Sequence, residues 1–187
     1  MVKEVHQLKI TLRGSKPAIW RRVLVPSNST LADLHETIRV AMGWAGYHLH
    51  EFDIGGDTFG PKGMDEPGLE MLDERSFRLS SVLRGVGVKA KYNYDFGDDW
   101  VHNIVVEKIL PAETGRAYPV CVDGKMRCPP EDCGGLYGYY ELIESLNDPV
   151  HGEEALEVLG PGFDPSEFLI DDVNQLFAKP AKARRKK

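Results

Sequence analysis

Residues 4–13 alternate, with His6, Leu8, Ile10 and Leu12 on one side and Val5, Gln7, Lys9 and Thr11 on the other, the twofold period of a half-buried strand. Gly14-Ser15-Lys16-Pro17 supplies a turn, and residues 19–25 return as a second strand closed by Pro26, since proline cannot donate to a sheet ladder. The period then changes. Leu31, Leu34, Ile38, Ala41 and Met42 recur at helical spacing, with Thr30 at the N-cap, Asp33 in the first turn and Gly43 at the stop; these are the start and stop signals of an amphipathic helix.

Farther along, residues 47–54 read as a third strand, Gly55-Gly56-Asp57 as a tight turn, and residues 61–75 as an irregular loop rich in glycine, proline and acids. Residues 79–83 suit a single helical turn. A second long hairpin follows, with strands over 89–96 and 100–110 joined by Gly97-Asp98-Asp99. The composition shifts after Pro111: a short strand over 118–122, a cysteine loop, then helices over 137–146, 153–159 and 165–177, the last with Asp164 as cap and Pro165 at its first position. The fold class expected is α+β, a β-grasp-like mixed sheet with a packed helix, followed by a helical C-terminal extension. Residues 1–177 form one domain in this reading, β-rich over 1–112 and loop-plus-helix over 113–177, and 178–187 form a disordered basic tail.

Composition narrows the function classes. The chain has 187 residues, 42% of them hydrophobic, enough for a substantial core. No run reaches the roughly 18 apolar residues a membrane span needs, and the first residues lack the apolar block of a secretory signal, so a cytoplasmic protein is expected. Three cysteines, an odd number, fit a reducing compartment better than a disulfide framework. The last ten residues carry Lys179, Lys182, Arg184, Arg185, Lys186 and Lys187 and no acid, so removing those six charges from the net −6 leaves the body at −12. An acidic body repels phosphate backbones, and nucleic-acid contact is expected only through the tail.

Two polar segments stand out. In Cys128-Pro129-Pro130-Glu131-Asp132-Cys133-Gly134-Gly135, prolines fix φ and glycines admit positive φ, so thiols and carboxylates are presented from a stiff frame. Asp95-Phe96-Gly97-Asp98-Asp99-Trp100-Val101-His102 crowds three carboxylates and an imidazole at a hairpin tip. Such crowding raises carboxyl pKa values unless a cation or backbone N–H groups stabilise the charge, and ordinary aspartate turn chemistry is the alternative. His48 and His50 sit two apart on one predicted strand face, a spacing that suits two ligands of one metal; with Phe52 and Ile54 on that face, a buried, hydrogen-bonded pair is expected. Cys121, Cys128 and Cys133 are separated by six and four residues, looser than a paired CxxC. A zinc or other divalent-metal site built from these thiols with His102 or His151 is chemically sensible, and buried thiols beside a Pro-Gly turn are the alternative. A nucleophilic cysteine is disfavoured by Glu131 and Asp132 beside Cys133. No GxxxxGK[ST], no GxGxxG between a strand and a helix, no HExxH and no GxSxG occurs, which argues against nucleotide-dependent, zincin and serine-hydrolase chemistry.

Taken together, His48-Leu49-His50-Glu51-Phe52, Tyr94-Asp95-Phe96-Gly97-Asp98-Asp99-Trp100 with His102, and Tyr118-Pro119-Val120-Cys121 leading into Cys128-Pro129-Pro130-Glu131-Asp132-Cys133-Gly134-Gly135 resemble the plasmid pRiA4b Orf-3-like family. Ile19-Trp20-Arg21-Arg22 and Phe163-Asp164-Pro165 fit as well, so the resemblance runs from about Val5 to Phe177. It implies a protein of uncharacterised function, with labels of insertion-element passenger or TnpR-like protein that point to mobile DNA. A serine resolvase needs a nucleophilic serine among several arginines, whereas Arg21-Arg22 is the only arginine pair of the body.

The functional expectation is a cytosolic binding or accessory protein associated with mobile elements, its ligand or protein partner unspecified. The rival is a metal-dependent hydrolase or nuclease using the His/Asp/Cys cluster. Candidate binding residues are His48, His50, Asp95, Asp98, Asp99, Trp100, His102, Glu131 and Asp132, and candidate metal ligands are Cys121, Cys128, Cys133 and His102.

Overall fold

A computed structural model describes residues 2–63 and 71–179. The first strand, β1 (Glu4–Leu12), pairs antiparallel with β2 (Trp20–Pro26), and His6, Leu8, Ile10 and Leu12 are all buried as their alternation requires. The helix α1 (Leu31–Met42) begins at a reciprocal capping box: Thr30 Oγ1 accepts from Asp33 N at 3.1 Å and Asp33 Oδ2 accepts from Thr30 N at 2.8 Å. It stops at Gly43, whose φ of 87° costs a residue without Cβ little.

The remaining elements are β3 (His50–Ile54), β4 (Asp57–Gly60), β5 (Leu72–Asp73), a 3₁₀ turn (Glu74–Ser76), the single turn α2 (Leu79–Val82), β6 (Lys89–Tyr94), β7 (Trp100–Pro111), β8 (Val120–Lys125), α3 (Gly135–Ser145), α4 (Gly152–Leu159) and α5 (Ile170–Ala178). One eight-stranded mixed sheet has the order β5-β4-β3-β6-β7-β1-β2-β8. Neighbours are antiparallel except for the short β4–β5 pair. The fold is therefore α+β, with helices following the last strand as expected. Leu8, Ile10 and Val23 of the sheet and Leu31, Leu34 and Ile38 of α1 are each fully buried in one core, and α5 closes it by packing on α1 and β8. Among the described residues no helix is long and apolar enough to cross a membrane.

Three expectations need correction. The third strand begins at His50 rather than at residue 47, because the His48 N–H is directed at the Tyr94 hydroxyl instead of a backbone carbonyl of a neighbouring strand. The last helix begins at Ile170 rather than Pro165: Asp164 Oδ1 accepts from both N and Oγ of Ser166, and the Pro165 carbonyl accepts from Arg127 N, so this stretch is a tether to the cysteine loop. The segment 61–75 contains a two-residue strand and a 3₁₀ turn where only a loop was expected. Its residues 64–70, and the basic tail from 180 onward, lie outside the described residues.

Candidate functional site

The tip of the β6–β7 hairpin folds around Asp95. Its φ is 59°, in the left-handed region that aspartate tolerates better than most side chains. One carboxylate oxygen, Oδ1, accepts from Gly97 N at 3.0 Å, an aspartate turn, while Oδ2 faces outward to His48 Nδ1 at 3.4 Å. On the other side of the imidazole, Nε2 lies 3.2 Å from Asp132 Oδ1 in the cysteine loop, and Asp132 is also left-handed at φ 57°. Asp95 is buried, His48 half-buried and Asp132 exposed, and one ligand atom from each lies within 4.8 Å of the others. Among the described residues this is the one group of three such side chains close enough to share an ion.

The two polar segments meet through backbone as well. A Cβ on Gly135 would stand 2.5 Å from the carbonyl oxygen of Asp98, so the start of α3 approaches the hairpin tip to a distance only glycine permits. His48 itself sits on the 44–49 loop, which is pinned from two directions. Arg39, 1% exposed, donates to the carbonyls of Trp44 at 2.9 Å and Ala45 at 3.2 Å while pairing with Glu36 at 2.7 Å. Glu131 accepts from Ala45 N at 2.7 Å, from Gly46 N at 3.3 Å and from the Tyr94 hydroxyl. Tyr94 in turn accepts from His48 N, and burial together with Glu131 holds its phenol well above the usual range. Trp44 completes the clamp, its ring stacked on Tyr94 at 5.0 Å and its indole N–H donated to the Pro129 carbonyl at 3.0 Å.

The structure thus brings His48, Asp95 and Asp132 together and makes Glu131 the anchor that positions them. Asp98 contributes its backbone to the Gly135 contact, and Asp99 accepts from Asn93 Nδ2 at 3.0 Å across the hairpin, while the turn chemistry weighed as the alternative is found at Asp95, which accepts from Gly97 N. His50 does not join His48. It is buried, hydrogen-bonded to Glu74 at 2.8 Å and stacked on His35 at 3.5 Å between centroids. Trp100 and His102 belong to the core, both fully buried. Burial pushes the His102 imidazole down to about 4, so it is neutral at physiological pH, and its partners are the rings of Trp44 and Tyr92 rather than a thiol.

The cysteines are likewise dispersed: Cys121 Sγ is directed at the Asp123 carbonyl, Cys128 Sγ at Arg21 and Met42, and Cys133 Sγ at the Gly135 carbonyl. All three are free and buried. Burial raises each thiol, and Asp98 helps push Cys133 up to about 12, so they stay protonated at neutral pH and offer neither a thiolate nucleophile nor a Cys₃His centre.

Arg39 and Tyr94 were not among the candidates. Arg39 had a signal: it lies four residues after His35 and eight after Leu31, on the apolar stripe of α1, where a cation must find buried acceptors. Tyr94 opens the Tyr94-Asp95-Phe96-Gly97 motif and lies in an aromatic strand, but neither marks it as the partner of Glu131.

Comparison with known proteins agrees with this architecture. The uncharacterized protein y4hQ of Sinorhizobium fredii is 40% identical over the whole of both chains. The crystal structure of MM3350, a protein of unknown function from Methanosarcina mazei Go1, superposes with a TM-score of 0.84 at 39% identity, covering 92% of this chain and 97% of that one. The model of the plasmid pRiA4b ORF-3-like proteins matches residues 4–172, and the chain belongs to that family.

Proposed function

We propose that the protein is a binding or accessory module whose site is the junction of hairpin tip and cysteine loop, and that the ligand there is a divalent cation bound by His48 and Asp132, with Asp95 orienting the imidazole. The observation that carries this is the placement of an imidazole between two carboxylates from different elements, with ligand atoms within 4.8 Å. Metal-bound histidine commonly donates its second N–H to a carboxylate, which fixes the tautomer. Here Asp95, buried and held by its own turn, is suited to that part on Nδ1, leaving Nε2, a buried atom without a hydrogen-bond partner among the described residues, to face the exposed Asp132. Both aspartates adopt left-handed backbone, a cost that clusters at functional sites. One nitrogen and carboxylate oxygens suit zinc or manganese.

Titration of tag-free protein with Zn²⁺ and Mn²⁺ by calorimetry tests the proposal: one ion per chain is expected, lost in His48→Ala and weakened about 10- to 100-fold in Asp95→Asn. Binding that survives His48→Ala unchanged, or no binding at all, refutes it.

The exposure of Asp132 favours a second reading, a metal-dependent hydrolase, because a cation held by His48 and Asp132 keeps open positions for an activated water. Metal-dependent cleavage of bis(p-nitrophenyl) phosphate, abolished by Asp132→Asn, distinguishes it from a binding module. The protonated, unpaired thiols are in keeping with a cytosolic setting. In an association with mobile elements the acidic body would sit beside DNA rather than on it, leaving residues 178–187 as the contact.

A further inference from the structure

On the far side of the cysteine loop lies a second cavity of about 350 Å³, between the C-terminal end of α1, residues 127–130 and the α4–α5 region. Its walls include Met42, Leu159, Phe163 and Val173, and Arg21 and Cys128 also line it. Arg21 is 3% exposed. Its Nε donates to the Ala41 carbonyl at 3.0 Å, one terminal nitrogen to the carbonyls of Trp20 and Lys125 at 2.9 and 3.0 Å, and the other to Cys128 Sγ at 3.0 Å. These contacts use four of the five N–H groups of a guanidinium. All four acceptors are uncharged, since burial keeps the Cys128 thiol protonated against the pull of Arg21. Among the described residues no carboxylate lies within ion-pair distance of Arg21. The end of α1 offsets only about half a charge, and the ring of Phe168 stacks 4.0 Å from the guanidinium carbon. A buried cation without a counter-ion is costly, and the usual remedy is a paired anion.

We propose that this cavity is a second binding site, for a small organic monocarboxylate whose carboxylate pairs with Arg21 and whose aliphatic body fills the apolar walls. The volume suits a small molecule. At the mouth, Arg127 and Glu167 pair with each other at 3.1 Å and cancel, and Asp172 is exposed, where salt screens it. Cys128 gives the site a built-in reporter.

The test uses the full chain and the series butyrate, hexanoate and octanoate, with octan-1-ol as the uncharged control. Binding is read by calorimetry and by the rate at which methyl methanethiosulfonate modifies Cys128, with Cys121 as internal reference. Saturable binding is expected, tightening about fourfold per methylene until the cavity is full. Octanoate should slow modification of Cys128 about tenfold or more without affecting Cys121, and octan-1-ol should do so far less. Because Arg21 variants could misfold, Val173→Phe, which fills the cavity and leaves Arg21 in place, should abolish both effects. Absence of saturable binding, equal protection by octan-1-ol, or undiminished octanoate binding in Val173→Phe overturns the proposal.

Discussion

Gly135→Ala is the sharpest perturbation of the junction between cysteine loop and hairpin tip. Gly134 and Gly135 are adjacent and both left-handed, at φ 83° and 67°. A methyl at either position therefore carries the conformational cost of that region, about 1–2 kcal/mol. They differ in surroundings. A Cβ at 134 would meet nothing nearer than the Gly138 Cα at 3.6 Å, an ordinary contact, whereas a Cβ at 135 would fall 2.5 Å from the Asp98 carbonyl oxygen and 3.4 Å from its carbon. That contact is with backbone, so no rotamer relieves it, and forcing extra volume into a packed junction costs about 1–3 kcal/mol more. Gly134→Ala should thus lose about 1–2 kcal/mol and Gly135→Ala about 2–5 kcal/mol, both read from equilibrium urea unfolding. The excess is the energy of pressing α3 against the hairpin tip. In Gly135→Ala, Asp132 and Asp95 should also separate and cation affinity fall, while Gly134→Ala retains it. Equal stability of the two variants within about 0.5 kcal/mol would show that the junction is not tight and remove its claim to hold a site.

Other consequences follow from the buried groups. His102, held from its ordinary 6.5 down to about 4, refuses a proton that the unfolded chain accepts, so its contribution of about 3 kcal/mol is complete above pH 6.5 and is lost as pH falls toward 4. His102→Phe should flatten that acid limb in pH-dependent unfolding, because the phenyl ring has no proton to refuse; an unchanged acid limb would place the titration elsewhere. Glu131→Ala leaves two N–H groups and a phenol without their acceptor and should cost about 3 kcal/mol, with cation affinity falling as the 44–49 loop loosens; a loss of stability with unaltered affinity would separate the anchor from the site. All three thiols should titrate as free groups in denaturant and react slowly in the native protein, and fewer than three under denaturing conditions would reveal a cross-link.

Local patterns were legible where they decide the structure locally. Alternation placed β1, turn residues placed the β1–β2 and β6–β7 hairpins, and Thr30, Asp33 and Gly43 bounded α1 at its observed ends, because caps and turn residues act within a few positions. Asp95, Asp132, Glu131 and His48 were singled out as polar residues in stiff or crowded segments; which of their atoms meet is decided by contacts distant in sequence, Gly135 against Asp98 among them. His50 takes the buried, hydrogen-bonded role expected of it, whereas His102, a candidate metal ligand, shows that the period of a strand gives a face without saying what covers it. At His50 the cover is Glu74 and His35, and at His102 it is aromatic. The late start of α5 had the same origin: Asp164 and Pro165 look like a helix start, and the pull of Arg127 on the Pro165 carbonyl is tertiary.

The most direct measurement of the central claim is the long-range ¹H–¹⁵N spectrum of the six histidines, recorded with and without Zn²⁺ and assigned by His48→Ala. The account predicts that the ring nitrogens of His48 alone move at one equivalent of zinc, with Nε2 becoming metal-bound and Nδ1 keeping its proton toward Asp95, while His50 and His102 stay at their buried, metal-free positions. Perturbation of His102 or His50 in place of His48, or a spectrum indifferent to zinc, would contradict it.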